Sequence, residues 1–253
     1  MDKKELLFYD EYEEFYKMAR KSNAFSAFCK DAFGEDFSQD GFSNVQQIEM
    51  ILQYIPQKDN VHILDIGCGN GKMLGYLQEK TGCFIYGFDY SENAIETAQS
   101  LFPSNAEFKV GIIDEADYPE EKFDVIISMD TMYFVKDMSS FISKMKKWLK
   151  KDGVLFVGYQ EGDIMPKTEC AYTTVLAKAL DENGMTYEVT DITEQTYELL
   201  KTKRMSAMLH KEEFLAEGHK NWFDMLIGQT ESVSESYEQF KRRMARYIFV
   251  VEK

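Results

Sequence analysis

The sequence predicts an α/β protein in which short, mostly parallel strands alternate with helices and a ligand lies beyond the strand ends. Three observations carry that prediction. Val61 to Ile66 is a short apolar run, long enough for one buried parallel strand. It runs into Gly67, Gly69 and Gly71, three glycines at alternate positions. Lys72 to Lys80 then reads as a helix, so strand, Gly-rich turn and helix N-terminus form a cradle of the kind that binds nucleotide cofactors. Glycine suits such a turn because it tolerates positive φ and has no Cβ to hold a ligand off the backbone.

The glycine spacing separates cofactor classes. A Gly-x-Gly-x-x-Gly dinucleotide fingerprint starting at Gly67 needs a third glycine where Lys72 stands. Gly71-Lys72 is followed by Met73, so no Gly-Lys-Ser/Thr phosphate loop is present either. The string Asp65-Ile66-Gly67-Cys68-Gly69-Asn70-Gly71 resembles motif I of the class I S-adenosylmethionine-dependent methyltransferases. That resemblance implies a doubly wound, seven-stranded, mostly parallel sheet of the Rossmann-like methyltransferase type. It also implies S-adenosyl-L-methionine as cofactor and methyl transfer to an O, N or S nucleophile of a small molecule. Two other readings remain: a non-catalytic protein that binds S-adenosylmethionine, and an NAD-dependent oxidoreductase, which the glycine register disfavours.

The 253 residues suit a single α/β domain with an insertion: an N-terminal helical cap (1–58), a cofactor-binding core (59–190), a helical lid insertion (191–245) and a last strand (246–253). A net charge of −15 disfavours nucleic acid, whose phosphates need a basic surface. The basic stretch Lys144 to Lys151 reads as the exposed face of a helix. Cys29, Cys68, Cys83 and Cys170 form no Cys-x-x-Cys pair and read as reduced thiols of a cytoplasmic protein. With only His62, His210 and His219, no metal site is expected. Met-Asp-Lys-Lys-Glu at the start has no apolar stretch behind it, so neither a leader nor a membrane partner is expected. A monomer or homodimer is expected.

Along the chain, residues 3–58 look helical, with Phe8, Tyr9, Tyr12, Phe15, Tyr16 and Met18 at helical spacing. Such a stripe packs a core. Aromatic faces also attract a sulfonium cation, and the resemblance places helices ahead of motif I over the pocket. Tyr16 (cofactor) and Phe42 (substrate) are the candidates there. Val45 to Ile55 reads as an amphipathic helix stopped at Pro56.

Cys83 to Phe88 is the second strand, and Ser91 the N-cap of a helix through Leu101. A carboxylate at Asp89, on the strand end, can accept hydrogen bonds from both hydroxyls of a ribose. The resemblance gives Asp89 that role and puts Tyr90 near the adenine. Ala106 to Val110 is the third strand. By resemblance, Asp114 accepts from the adenine amino group, and Ile113 lies beside it where a backbone N–H donates to the ring. In the turn itself, Asp65, Gly67, Cys68, Gly69 and Gly71 are the expected cofactor contacts.

Phe123 to Ser128 is the fourth strand, with backbone oxygens near Met129 expected to meet the methionine amino group. Many relatives have histidine where Tyr133 and Phe134 stand, so no catalytic base is fixed. Asp130, Tyr133, His210 and His219 are candidates, with Tyr133 also able to orient substrate. Met138 to Lys150 reads as a helix, Val154 to Tyr159 as strand five, Thr168 to Asn183 as a helix and Thr186 to Thr190 as strand six. Arg246 to Val251 is the last strand, antiparallel by resemblance. The interval between strands six and seven is too long for a turn. It reads as helices over Glu194–Ala216, His219–Gln229 and Ser234–Ala245, a substrate lid with Trp222 facing the acceptor.

Overall fold

Runs of apolar and β-branched residues become the strands of one sheet in the computed structural model, which describes residues 6–253. These are β1 (His62–Ile66), β2 (Phe84–Asp89), β3 (Ala106–Val110), β4 (Phe123–Met129), β5 (Leu149–Glu161), β6 (Thr186–Asp191) and β7 (Ala245–Glu252). Their order is β3-β2-β1-β4-β5-β7-β6. β7 pairs antiparallel with both β5 and β6, while the other pairings are parallel. The seven-stranded, mostly parallel sheet expected from the sequence is therefore present. Strand order reverses between β1 and β4, which opens a crevice beyond the carboxyl ends of those strands.

Successive side chains of a strand face opposite sides. In β1, Ile63 joins one buried cluster while Leu64 and Ile66 join the other. The first cluster lies under α1 (Tyr9–Ala19), α2 (Asn23–Phe33), α3 (Val45–Glu49), α4 (Lys72–Thr81) and α5 (Glu92–Leu101). The second lies under α6 (Met138–Trp148) and α7 (Val175–Glu182). Between β6 and β7 come α8 (Thr193–Leu209), α9 (Lys211–Ala216), α10 (Lys220–Gln229) and α11 (Tyr237–Arg243). Among the described residues, no helix is long and apolar enough to cross a membrane. The first five residues, where the sequence suggests no leader, lie outside the described residues.

Several boundaries differ from the sequence reading, each for a local reason. α6 stops at Trp148, and β5 begins at once with an irregular register, Phe123 opposite Leu149 but Val125 opposite Val154. Asp124 anchors that irregularity, accepting from Lys150 Nζ at 2.6 Å and the backbone N–H of His62 at 2.9 Å. α7 starts at Val175 rather than Thr168, because Thr174 Oγ1 caps it by accepting from Ala177 N–H at 3.0 Å. Thr168 instead donates its N–H and hydroxyl to Glu161. Residues 45–55 form only a short α-helix before tightening into the 3₁₀ turn Met50–Tyr54. Within 3–58, Gly34 at φ 80° ends α2, and a strap through residues 35–44 leaves the helix.

The N-terminal helices and the inserted helices meet over the strand ends. Glu217 caps α2 from the insertion, accepting from Asn23 N–H at 3.0 Å and Ala24 N–H at 3.1 Å. A carboxylate at a helix N-terminus satisfies orphan donors and opposes the helix dipole. Ser206 donates to the Phe28 carbonyl at 3.0 Å, and the rings of Phe15 and Trp222 pack edge to face with centroids 5.8 Å apart.

Candidate active site

The turn after β1 is held open as a cradle. Gly67 N–H and Cys68 N–H both donate to the Phe88 carbonyl, at 2.9 and 3.0 Å, tying the turn to β2. Asp89 Oδ2 accepts from Gly69 N–H at 3.0 Å, and its Oδ1 accepts from Ser91 N–H at 2.9 Å. Ser91 in turn caps α5, accepting from Ala94 N–H at 3.1 Å. At Gly69, φ is +52° and a Cβ would stand 2.3 Å from the Tyr16 hydroxyl oxygen, so any side chain there would displace Tyr16. Gly71 has another reason to be glycine: a Cβ would press within 2.9 Å of the Phe108 ring, where α4 packs on β3. Asn70 ties the turn to the strap, donating to the carbonyls of Phe37 and Ser38 at 3.0 and 2.8 Å.

Two acids of the cradle are perturbed. Desolvation pushes the Asp89 carboxyl up to about 6, outweighing the backbone N–H donors of Ser91 and Gly69 that pull it down. Asp65 is 2% exposed, and burial followed by the nearby Asp89 charge raises it well above the usual carboxylate range. Its Oδ1 is buried without a hydrogen-bond partner although the residue lines the cavity. A buried polar atom without a partner is costly, so the site calls for a donor there.

Beyond the cradle the cavity continues under α1, the strap and α10, with a volume of about 800 Å³. That is near the upper end of the range for small-ligand sites. Tyr12 and Tyr133 face it, and burial pushes both phenols well above their ordinary value, followed among charges by Asp40 for Tyr12 and by Asp130 and Asp40 for Tyr133. Both stay protonated and cannot serve as bases near neutral pH. Asp40 is itself steadied by α10, each of its carboxylate oxygens accepting from Gln229 Nε2 at 3.1 Å.

The floor of this end holds a fully buried Arg246, at 0% exposure. Its Nε donates to Asp130 Oδ1 at 2.9 Å, and its Nη2 to Asp130 Oδ2 at 2.6 Å and Ser43 Oγ at 2.8 Å. Nη1 donates to the Phe42 carbonyl at 2.6 Å and to Gln47 Oε1 at 3.0 Å. Lys203 of α8, also buried, donates to the neighbouring Gly41 carbonyl at 3.1 Å. Two consecutive carbonyls of the strap thus hang on two buried cations.

Of the residues expected from the sequence, Asp65, Gly67, Cys68, Gly69, Asp89, Tyr90, Ile113, Met129 and Tyr16 line the cavity, as do Asp130, Tyr133, Phe42 and Trp222. Gly71 does not, serving the packing of α4. Asp114 lies outside the lining, with Oδ1 accepting from Lys136 N–H at 3.2 Å. His210 and His219 also lie outside it: His210 Nε2 is 2.7 Å from Asp31 Oδ2, and His219 Nε2 is 4.0 Å from Glu217. Sequence reading missed Tyr12, Asp40, Lys203 and Arg246. Arg246 had a signal, since an arginine opening an otherwise apolar strand implies a buried acid to meet it. No group of three or more His, Cys, Asp or Glu is placed to hold a metal among the described residues.

A family model described as a methyltransferase domain matches residues 57–222. The chain belongs to the class I S-adenosylmethionine-dependent methyltransferases. Among curated relatives, phosphoethanolamine N-methyltransferase 3 of Arabidopsis thaliana is 28% identical over 217 residues, 79% of this chain and 44% of that protein. The phosphoethanolamine N-methyltransferase of Plasmodium falciparum is 30% identical over 49% of this chain and 48% of its own length. The chain spans about half the length of the curated relatives it matches. In fold it resembles Haemonchus contortus phosphoethanolamine N-methyltransferase 2, solved with phosphomonomethylethanolamine and S-adenosylhomocysteine (TM-score 0.78, 20% identity, 98% of this chain and 60% of that one). The cyclopropane synthase MmaA2 of Mycobacterium tuberculosis matches over 96% of this methyltransferase and 98% of its own chain, with TM-score 0.68 and 16% identity. The cofactor of this family is S-adenosylmethionine, and the partnerless Asp65 oxygen and the Cβ-free turn fit a ligand whose amino-acid end carries an ammonium donor.

Proposed function

We propose that this methyltransferase carries the methyl group of S-adenosylmethionine to an amine nitrogen of a small molecule. One observation carries the reading: the motif I cradle and an aromatic- and acid-lined chamber are parts of a single cavity, so cofactor and acceptor share one enclosure. The relatives that match over more of the chain are named as N-methyltransferases of phosphoethanolamine, which supports nitrogen as the nucleophile, while O-methyltransferases of ubiquinone biosynthesis match over 39% of it. A cytoplasmic setting, in which the four unpaired cysteines stay reduced, belongs to the same reading.

The residues divide the work. Asp65 and the Gly67–Gly69 backbone hold the amino-acid end of the cofactor, and Asp89 the ribose. Bound there, the sulfonium supplies an electrophilic methyl carbon and a neutral thioether leaving group. The cap, strap and α10 exclude water and set the amine in line with that methyl, which supplies much of the acceleration. Tyr12 and Tyr133, kept as phenols, orient the amine by hydrogen bonds. A protonated amine must lose its proton before its lone pair can attack. The Asp40 carboxylate, whose charge bears on both phenols, is the acceptor for that proton.

Calorimetry with S-adenosylhomocysteine and NAD, followed by label transfer from methyl-labelled S-adenosylmethionine into a panel of amines, tests this. We expect S-adenosylhomocysteine alone to bind and label to enter an amine. Tight binding with no label passed to any acceptor of a metabolite extract would favour a non-catalytic binding protein; binding of NAD alone would remove the cofactor assignment.

A further inference from the structure

The acceptor end has a charge that its relatives' substrates do not suit. A phosphomonoester carries a charge of about −1.5 to −2 at neutral pH and is normally gripped by arginine or lysine. Among the described residues lining the cavity, Arg243 is the one cationic side chain, and it already pairs with Glu235 at 2.8 Å with more than half of its side chain in solvent. Arg246 lies just beneath, but a guanidinium has five N–H donors and here all five are engaged, by Asp130, Phe42, Ser43 and Gln47. None is left for a phosphate. Lys203 is turned away onto the Gly41 carbonyl and the Phe42 ring, 4.9 Å from its centroid, and does not line the cavity.

What faces the acceptor instead is acidic and aromatic. Asp40, Asp163 and Glu231 line this end together with the rings of Tyr133 and Trp222, while Glu235 is taken up by Arg243. Ring faces and carboxylates both attract an ammonium group, and neither suits a phosphate. The overall charge of −15 adds to the repulsion of the phosphate group of a phosphate-bearing amine at the mouth.

We propose that the acceptor is an unphosphorylated amine, recognised as a cation by carboxylates and aromatic faces, and that phosphate-bearing amines are excluded. This rests on the methyl-transfer reading and narrows it. The distinction from the relatives lies in the acceptor's anionic group, not in the nucleophilic nitrogen.

The test is calorimetry on the full chain saturated with S-adenosylhomocysteine, titrated in turn with benzyltrimethylammonium, phenethylamine, phosphoethanolamine and inorganic phosphate. We expect both unphosphorylated cations to bind at least about tenfold more tightly than phosphoethanolamine, their affinity falling with added salt, and inorganic phosphate to give no heat. Phosphoethanolamine binding as tightly as either cation, or neither cation binding, overturns the proposal. The double variant Asp163→Lys with Glu231→Lys changes two exposed side chains and should narrow the preference in a folded protein. An unchanged ratio would mean these acids do not set it and would overturn their assignment. Failure of S-adenosylhomocysteine itself to bind would strike the methyl-transfer reading instead, so the two failures are distinguishable.

Discussion

Asp89 is drawn in opposite directions by its two roles. It pins the Gly-rich turn through Gly69 N–H, and in the proposed reading it also grips the ribose. Desolvation lifts its carboxyl to about 6, above the value near 4 of an unfolded chain. The folded protein therefore holds the extra proton between those values. This contribution to stability is fully present below about pH 4 and is lost as pH rises through 6, a change of about 3 kcal/mol. Cofactor binding runs the other way, since only the carboxylate accepts from two hydroxyls. The affinity for S-adenosylhomocysteine should be level above pH 7 and fall by about tenfold on going to pH 5. Asp89→Asn should flatten that profile, and Asp89→Ala should weaken binding at pH 7.5 by at least tenfold, about 1.4 kcal/mol. Calorimetry across pH 5–8 measures both, and wild-type affinity in a folded Asp89→Ala variant would remove the ribose assignment.

At the scale of elements, β7 joins the core to everything above it. Asp130 follows directly on β4 in left-handed backbone at φ 57°, a conformation costing roughly 1–2 kcal/mol in a non-glycine residue. The doubly hydrogen-bonded Arg246 holds it there while also gripping the strap at Phe42 and Ser43. Arg246→Met leaves a buried carboxylate without its partner, and urea unfolding should show a loss of about 3–5 kcal/mol. Adding Asp130→Leu should recover part of that loss, because the stranded charge goes with it. A loss below about 1 kcal/mol for Arg246→Met alone would show that the pair does not organise this end.

The same network explains what the sequence revealed and what it hid. The cradle was legible because its parts are local: an apolar strand, glycines at fixed offsets and an acid closing the next strand, each with a nearby backbone reason. Ser91 as N-cap was legible for the same cause. Arg246 and Asp130 are 116 residues apart, so only the fold makes them a pair. Asp40 and Tyr12 sat among many acids and aromatics with nothing local to distinguish them. A boundary slipped where a tertiary partner captured the expected first residue, as Glu161 does for Thr168, leaving Thr174 to cap α7.

On the scale of the whole molecule, the walls of one cavity come from three distant stretches. Tyr16 of α1 touches the turn at Gly69, the strap is tied to it through Asn70, and α10 reaches the strap through Gln229 and Asp40. A ligand in the cradle therefore stabilises parts of the roof that it does not itself touch. At 100 times its Kd, a ligand of the native state adds about 2.7 kcal/mol, which slows globally exchanging amides about a hundredfold. Hydrogen exchange with S-adenosylhomocysteine should show added protection in residues 9–19, 39–43 and 220–229 together with 67–71. If the roof and cradle were separate units, protection would stop at residues 65–90, and the buried cations Arg246 and Lys203 would be holding the strap to the core without coupling it to the ligand. Concerted protection would instead show that Tyr16, Asn70 and the Gln229–Asp40 bonds couple a filled cradle to the walls of the acceptor chamber.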